Sequence, residues 1–234
     1  YEHVIAVAAT ENDDTKANFS NFGDYVDISA PGVSIYTTSP DQDYAFLNGT
    51  SFSAPLVAGA AALLRAQYPD YNQFQIATLL LQSADTIDHQ NNDSFAGKLG
   101  TGRLNVENAL QVTTPALKIQ DISILNQSGD IPISGETANL NLTILNELDP
   151  SSANTFVKVT PVNGNPLEID TVETVIGSIS EGQSLSVEPF LSFDIPADLP
   201  FNERIDFEIS TQDPDARFVN EITRSFIVNP LKTV

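Results

Sequence analysis

The 234-residue sequence contains no Cys, no Met and no Trp. Without cysteine the chain can form no disulfide, no thiolate nucleophile and no Cys-ligated metal or iron–sulfur site. Any nucleophile must therefore be an oxygen or a lysine amine. Because Met is absent and residues 1–4 (Tyr-Glu-His-Val) look like the start of a strand rather than of a signal peptide, we expect a mature piece or a fragment of a longer protein.

Positive charge is also scarce, with 10 Lys and Arg against 31 Asp and Glu and a net charge of −21. Such a surface repels phosphate backbones and anionic lipids, which excludes nucleic acid and membrane surfaces as primary partners. No run of about 18 apolar residues is present, so we expect no membrane insertion. With 41% apolar residues the chain can bury a core, which argues against general disorder. Composition gives no indication of the oligomeric state.

Two regions differ in their patterns, and the boundary falls near Thr113–Pro115. In residues 1–114 short apolar strands alternate with two helical stretches, which is typical of an α/β fold with a parallel sheet. Residues 4–9 are continuously apolar, as in an inner strand buried on both faces. Residues 25–28 and 33–36 read as short strands interrupted by the turn signal Ala30-Pro31-Gly32.

Two helices are predicted in this first region. The first runs from Ser53 to Gln67 with Pro55 in its first turn, and its apolar residues on all sides indicate a buried helix. The second begins after Asn72, a good N-cap residue, and continues to Ala84.

Residues 115–234 contain only alternating strands, separated by turn residues. This pattern predicts an all-β sandwich of immunoglobulin-like class. The predicted strands are Leu117–Leu125, 138–145, 156–162, 185–193, 205–209 and 218–228.

The segment before the first helix offers a candidate for catalysis. Ser51 follows Gly49 at the entry to the helix, where unpaired N–H groups and the positive end of the helix dipole can stabilise an oxyanion. Its hydroxyl could therefore be a nucleophile. The alternative interpretation is that Thr50 or Ser51 only caps the helix, which is the commonest role for such residues.

The segment around the nucleophilic serine of the subtilisin-like serine proteases, the subtilases, closely resembles Gly49-Thr50-Ser51-Phe52-Ser53-Ala54-Pro55-Leu56-Val57-Ala58-Gly59. Three flanking blocks also resemble the family, in the family's order, and they are residues 4–9, 19–32 and 100–110. Together the four blocks cover nearly all of residues 1–114. The resemblance implies that this region is the C-terminal part of a subtilase catalytic domain.

The resemblance implies that Ser51 is the nucleophile of a serine endopeptidase, with protein or peptide substrates. In the family an Asp, a His and an oxyanion-stabilising Asn precede the serine in the chain. These partners are therefore expected upstream of this sequence. A serine without its base loses on the order of a millionfold in rate, so we expect this chain alone to be nearly inactive.

Neither histidine of the chain suits the role of general base. His3 precedes a strand at a position that the family does not use in catalysis, and His89 lies in a polar loop stretch. A triad of Ser51, Asp88 and His89, in the order of an α/β-hydrolase, fails because that fold requires Gly-x-Ser-x-Gly, whereas Ser53 follows Ser51 by two residues.

Cofactors are not expected, although calcium is possible without an assignable site. Carboxylates and loop carbonyls suit Ca²⁺, but none of the aspartates of the second region has EF-hand or repeat spacing, and turn chemistry alone explains them. The aspartates in question are Asp121, Asp130, Asp149, Asp194, Asp198, Asp213 and Asp215.

The family and the acidic composition together predict a secreted, extracellular or cell-surface protein. A second hypothesis is that the chain belongs to a degenerate subtilase that serves as a binding or surface-display module. Intact upstream Asp, His and Asn residues would favour the protease, and their absence would favour the module.

Overall fold

A computed structural model describes residues 4–40, 43–111, 114–162, 164, 166–167, 169–216 and 219–231. It is mostly β-sheet, with three α-helices in the described residues. The chain divides into two compact units, Tyr1–Val112 and Thr113–Val234, which we call the N-terminal and C-terminal units. No described helix combines the length and the apolar character that a bilayer-spanning segment needs.

Two strands of the N-terminal unit, β1 (Val7–Thr10) and β2 (Ile28–Pro31), pair in parallel with Val7 opposite Ile28. The predicted parallel strand is thus present, but it is shorter than residues 4–9, and Val4 is exposed rather than buried. Pro31 ends β2 instead of forming a turn before the next strand. A proline is tolerated there because the Ser29 N–H, two residues earlier in β2, points away from β1 to the Gly102 carbonyl. Residue 31 has the same orientation, so its missing N–H removes no hydrogen bond to β1.

A hairpin follows β2, formed by β3 (Ile35–Ser39) and β4 (Asp43–Leu47). The strand predicted at residues 33–36 overlaps only the start of β3, and β4 is a strand that the sequence pattern does not predict. The two strands pair antiparallel, so that Tyr36 faces Phe46 and Thr38 faces Tyr44 across the ladder. Strand β4 leads directly into the segment that contains Ser51.

Three helices complete the N-terminal unit, and they are α1 (Thr50–Gln67), α2 (Gln73–Ser83) and α3 (Val106–Gln111). Short 3-10 turns occupy Asp88–Gln90 and Asp93–Phe95. The prediction for α2 is confirmed, because Asn72 is its N-cap and accepts hydrogen bonds from the N–H groups of Phe74 and Gln75. The Gln75 side chain accepts from the Asn72 N–H in return, which completes a capping box.

Helix α1 is buried on one face only, against β1 and β2. The buried residues recur at helical spacing, and they are Ser53, Val57, Ala60 and Leu64. On the other side Leu56 and Leu63 are 41% and 55% exposed. The prediction of a helix buried all round is therefore wrong for the chain as described, although one face packs closely enough to leave Ala60 and Leu64 almost inaccessible.

Residues 102 and 103, just before α3, contact two distant parts of the N-terminal unit. Gly102 has a φ of 131°, and a Cβ built on it would lie 2.0 Å from the Asp85 carbonyl oxygen, so only glycine fits. The next residue, Arg103, donates through Nη1 to Asp14 at 2.8 Å and through Nη2 to Asp85. Burial lowers the pKa of Arg103, but hydrogen bonds and charges from Asp85 and Asp14 outweigh it and raise the pKa above its usual value.

The described residues of the C-terminal unit form seven strands in two antiparallel sheets. One sheet has the order β5-β6-β9 and the other has the order β11-β10-β7-β8. The strands are β5 (Leu117–Leu125), β6 (Thr137–Asn146), β7 (Phe156–Pro161), β8 (Val172–Val175), β9 (Ser184–Asp194), β10 (Glu203–Gln212) and β11 (Asn220–Val228). Six of them match predicted strands, β8 was not predicted, and Phe218, the predicted start of the last strand, lies outside the described residues.

Inward-facing residues of both sheets form one hydrophobic cluster, which includes Leu140, Ile144, Val159 and Phe207. The alternation in β6 shows how the sequence specifies it, since every second residue from Ala138 to Asn146 is buried. Such alternation buries one face of each sheet and leaves the other polar.

Candidate functional site

Ser51 is the second residue of α1, and its side chain is exposed. The N-cap position is Gly49, and no side chain makes a capping hydrogen bond. The interpretation that Thr50 or Ser51 only caps the helix is therefore wrong. Within the described part of the chain, the Ser51 hydroxyl has no hydrogen-bond partner, and it lies 3.0 Å from the point where a Cβ on Gly49 would be. The hydroxyl is available to an outside group.

The backbone before Ser51 is fixed to the end of β2. The Gly49 N–H donates to the Gly32 carbonyl at 2.8 Å, and the Gly32 N–H donates to the Thr10 carbonyl at 3.0 Å. A Cβ on Gly32 would lie 2.6 Å from both the Ala9 Cβ and the Ser53 Oγ. Close approach of α1 to the two parallel strands therefore requires glycine at position 32.

Two further contacts hold the segment on either side of Ser51. The Asn48 Oδ1 accepts a hydrogen bond of 2.7 Å from the Ser34 N–H at the base of the hairpin. The buried Ser53 hydroxyl donates to the Pro31 carbonyl at 3.1 Å. Ser51 thus sits between two anchored neighbours, and its position depends little on its own side chain.

The N-terminus of α1 stabilises negative charge that develops beside Ser51. The first N–H groups of a helix lack intrahelical acceptors and carry the positive end of the dipole, and Ser51 lies among them. Pro55 is the sixth residue of α1, in its second turn, so its predicted place in the first turn is wrong. Because proline has no N–H, the Ser51 carbonyl receives no hydrogen bond from residue 55.

The histidines do not join this arrangement. His3 lies outside the described residues. His89 is exposed in the 3-10 turn at Asp88–Gln90, and no hydrogen bond connects it to Ser51 in the described part of the chain. The carboxylate of Asp88 instead accepts from the Gly97 N–H at 3.2 Å. The described residues therefore do not form a triad of Ser51, Asp88 and His89.

No group of three or more His, Cys, Asp or Glu side chains suited to a metal ion occurs in the described ranges. Of the aspartates considered for calcium, Asp213 has a structural role. It is 1% exposed, and its carboxylate accepts hydrogen bonds from the Ser152 and Asp215 N–H groups and the Thr155 hydroxyl. This role of Asp213 is not predictable from the local sequence, because its donors lie up to 61 residues away in the chain.

The sequence of the N-terminal unit is similar to the sequences of known proteins. Residues 1–104 match the model of the subtilase family. Subtilisin DY of Bacillus licheniformis is 42% identical over 111 residues, which cover 47% of this chain and 38% of that protein. Subtilisin Savinase of Lederbergia lenta is 39% identical over 109 residues, covering 47% and 38%. The thermophilic serine proteinase of Bacillus sp. (strain AK1) is 47% identical over 87 residues, covering 37% and 21%.

Among solved structures, the prenylagaramide maturation protease PagA is 32% identical with a TM-score of 0.42, covering 46% of this chain and 42% of that chain. In sequence, and over less than half of its residues, this chain is similar to serine proteases. More particularly, residues 1–104 are a subtilase-like segment, as the resemblance in the sequence indicated. The chain spans about 38% of the length of the two subtilisins.

Proposed function

We propose that residues 1–114 are the C-terminal part of the catalytic domain of a secreted subtilisin-like endopeptidase, and that Ser51 is its nucleophile. One observation carries the proposal. Ser51 presents an exposed hydroxyl, without a partner in the described part of the chain, at the start of an 18-residue helix whose first residues are tied to β2. The substrates are proteins or peptides.

In the proposed reaction the Ser51 Oγ attacks the carbonyl carbon of the scissile peptide bond and gives its proton to a histidine. The Ser51 N–H, at the helix N-terminus, donates to the oxygen that becomes negatively charged, and an asparagine amide donates from the other side. The histidine then protonates the leaving amine as the C–N bond breaks. A water molecule hydrolyses the resulting ester by the same steps.

Residues outside this chain supply the Asp, the His and the oxyanion Asn of that reaction. Two facts support this assignment: the chain spans only 38% of the two subtilisins, and the described histidine, His89, makes no hydrogen bond to Ser51 within the described residues. No cofactor is assigned to the reaction. A role for calcium elsewhere in the protein stays a prediction.

The C-terminal unit is, in our proposal, an immunoglobulin-like accessory domain comprising residues 115–234. Its connectivity supports this. Strand β7 leaves the sheet of β5 and β6, β9 returns to pair with β6, and β10 and β11 extend the sheet of β7. Such crossing between two sheets is characteristic of Greek-key sandwiches. The acidic surface suits a spacer or adhesion module outside the cell.

Labelling with a fluorophosphonate tests the nucleophile. The probe is applied to this chain and to the same protein extended upstream, and the adduct is located by mass spectrometry. We expect an adduct on Ser51 in the extended protein only, because the upstream histidine activates the hydroxyl. Ser51→Ala should abolish labelling, whereas Thr50→Ala, which removes the neighbouring hydroxyl of the same helical turn, should not.

Absence of labelling in both proteins would refute the protease proposal. It would favour the second hypothesis, a degenerate subtilase that acts as a binding or surface-display module. An adduct on a residue other than Ser51 would refute the assignment of the nucleophile and leave the reaction class standing.

A further inference from the structure

The outer face of the β3–β4 hairpin carries three aromatic rings, Tyr36, Tyr44 and Phe46, which we call the aromatic cluster, and Tyr36 contacts both of the others. The Tyr36 and Phe46 ring centroids are 5.0 Å apart, and those of Tyr36 and Tyr44 are 5.5 Å apart with nearly parallel planes. Strand alternation explains the arrangement. Tyr36 and Phe46 are opposite each other in the ladder, and Tyr44 lies two residues before Phe46 on the same face.

These rings face away from the body of the N-terminal unit. Tyr36, Tyr44 and Phe46 are 63%, 57% and 69% exposed, whereas Ile35 and Thr37, on the opposite face of β3, are partly buried. Contiguous exposed aromatic surface is a common mark of an interaction site, since each ring offers a large and rigid contact area.

The aromatic cluster is fixed relative to Ser51. Only Asn48, Gly49 and Thr50 separate β4 from Ser51, and hydrogen bonds to Ser34 and Gly32 hold this connection. Phe46 and Ser51 are five residues apart, so their Cα atoms lie within about 18 Å of each other. An extended peptide of about six residues covers that distance.

Charge defines the kind of partner. The described strands of the hairpin contain one charged residue, Asp43, and no Lys or Arg, within a chain of net charge −21. A partner that approaches this region gains from carrying positive charge and loses from carrying negative charge.

We propose that the aromatic cluster binds an apolar side chain of an extended polypeptide that carries basic residues beside it, and that this polypeptide is the substrate cleaved at Ser51. The first part stands on the cluster and the charge distribution. The second part rests on the proposed function. The cluster then contributes to substrate selection at a point removed from the scissile bond.

A tryptophan peptide provides the binding test, because the chain has no Trp and the peptide's emission can be followed alone. Two peptides are compared that differ only in the residues flanking the Trp, Lys in one and Glu in the other. They are titrated against the 234-residue chain and against the variants Tyr36→Ser and Phe46→Ser. The matched control is Tyr25→Ser, whose ring is 64% exposed and lies outside the hairpin.

The expected result is that the Lys peptide binds more tightly than the Glu peptide. Each cluster variant should weaken binding of the Lys peptide about tenfold, which corresponds to about 1.4 kcal/mol for one lost aromatic contact. Equal effects of Phe46→Ser and Tyr25→Ser, or equal binding of the two peptides, would overturn the proposal. So would self-association of the chain that Phe46→Ser abolishes in sedimentation velocity, because it would assign the surface to a second copy.

A second measurement separates this proposal from the proposed function. In the extended protein, the Lys peptide should slow fluorophosphonate labelling of Ser51 in the parent and not in Phe46→Ser. If the peptide binds but does not slow labelling, the polypeptide is not the substrate, and the second part of the proposal is wrong. If no protein is labelled, the proposed function fails, while the titration still decides whether the cluster binds the peptide.

Discussion

Replacing Asp213 by Asn should destabilise the C-terminal unit by about 3 kcal/mol. The Asp213 carboxylate is buried and accepts hydrogen bonds of 2.8 Å from the N–H groups of Ser152 and Asp215, and one from the Thr155 hydroxyl. An asparagine keeps one acceptor oxygen but turns its NH₂ toward one of these donors. An unsatisfied buried donor costs about 1–3 kcal/mol, and loss of the charge weakens the remaining bonds by about 1 kcal/mol.

Thermal unfolding measures this effect. For a unit of about this size, 3 kcal/mol corresponds to a decrease in Tm of about 10 °C. The matched control is Asp215→Asn, which makes the same change of charge two residues away on an exposed side chain. It should leave the Tm nearly unchanged, because exposed carboxylates contribute little to stability.

The pH dependence of stability gives a second check. Burial raises the pKa of Asp213, but the hydrogen bonds from Thr155, Asp215 and Ser152 outweigh it and lower the pKa below its usual value. The pKa of the Asp213 carboxyl is therefore lower in the folded state than in the unfolded state, where it is about 3.9. Its contribution is complete above about pH 5 and is lost as the pH falls through the folded pKa.

The difference in stability between the parent and Asp213→Asn should accordingly be constant near neutral pH and should shrink in acid. Two results would refute this reasoning. One is an equal Tm for Asp213→Asn and Asp215→Asn. The other is a difference that persists unchanged below about pH 3, where the carboxylate would be protonated in the unfolded state.

Two further predictions concern the N-terminal unit. Gly102→Ala should lower the free energy of unfolding, measured by denaturant titration, by about 3 kcal/mol, because its Cβ would meet the Asp85 carbonyl oxygen in addition to the strain of the positive φ. The control Gly97→Ala, at a φ of 67° with open space around the added Cβ, should cost only about 1 kcal/mol, and equal costs of the two variants would contradict the steric argument. Asn72→Ala should cost about 1 kcal/mol by removing the N-cap of α2, and Asn72→Asp should restore most of it; an alanine variant as stable as the parent would exclude a stabilising role for the capping box.

The elements that sequence analysis predicted best are those in which one strong periodic signal decides the structure. Strand β5 was predicted with its observed bounds, and β6 within one residue at each end, because their apolar residues alternate over a long stretch. Strand β8 was missed, since it has four residues and most of them are exposed. Strand β4 was missed because its large apolar residues, Tyr44 and Phe46, lie on the exposed face of the hairpin. Its sequence therefore lacks the pattern of buried apolar and exposed polar residues by which the other strands were predicted.

The candidate site was found through resemblance and not through local physics. Ser51 precedes an apolar helix, and local propensity favoured a capping role, but the helix begins at Thr50 with Gly49 as its N-cap. Contacts between distant residues were not predictable from one sequence. The bonds from Arg103 to Asp14 and from Ser53 to Pro31 depend on tertiary packing that no local pattern encodes.

The hydrogen bonds of Arg103 and its neighbours join parts of the N-terminal unit that are translated at very different times. Asp14 is made 89 residues before the guanidinium that pairs with it, and Ser29 in β2 exchanges hydrogen bonds with Gly102 and Leu104. A nascent chain that has left the ribosome only as far as α2 still lacks these bonds. Strand β2, which accepts a hydrogen bond from α1 at Pro31, therefore forms its bonds to residues 102 and 104 only after Ser51 and the whole of α1 have been translated.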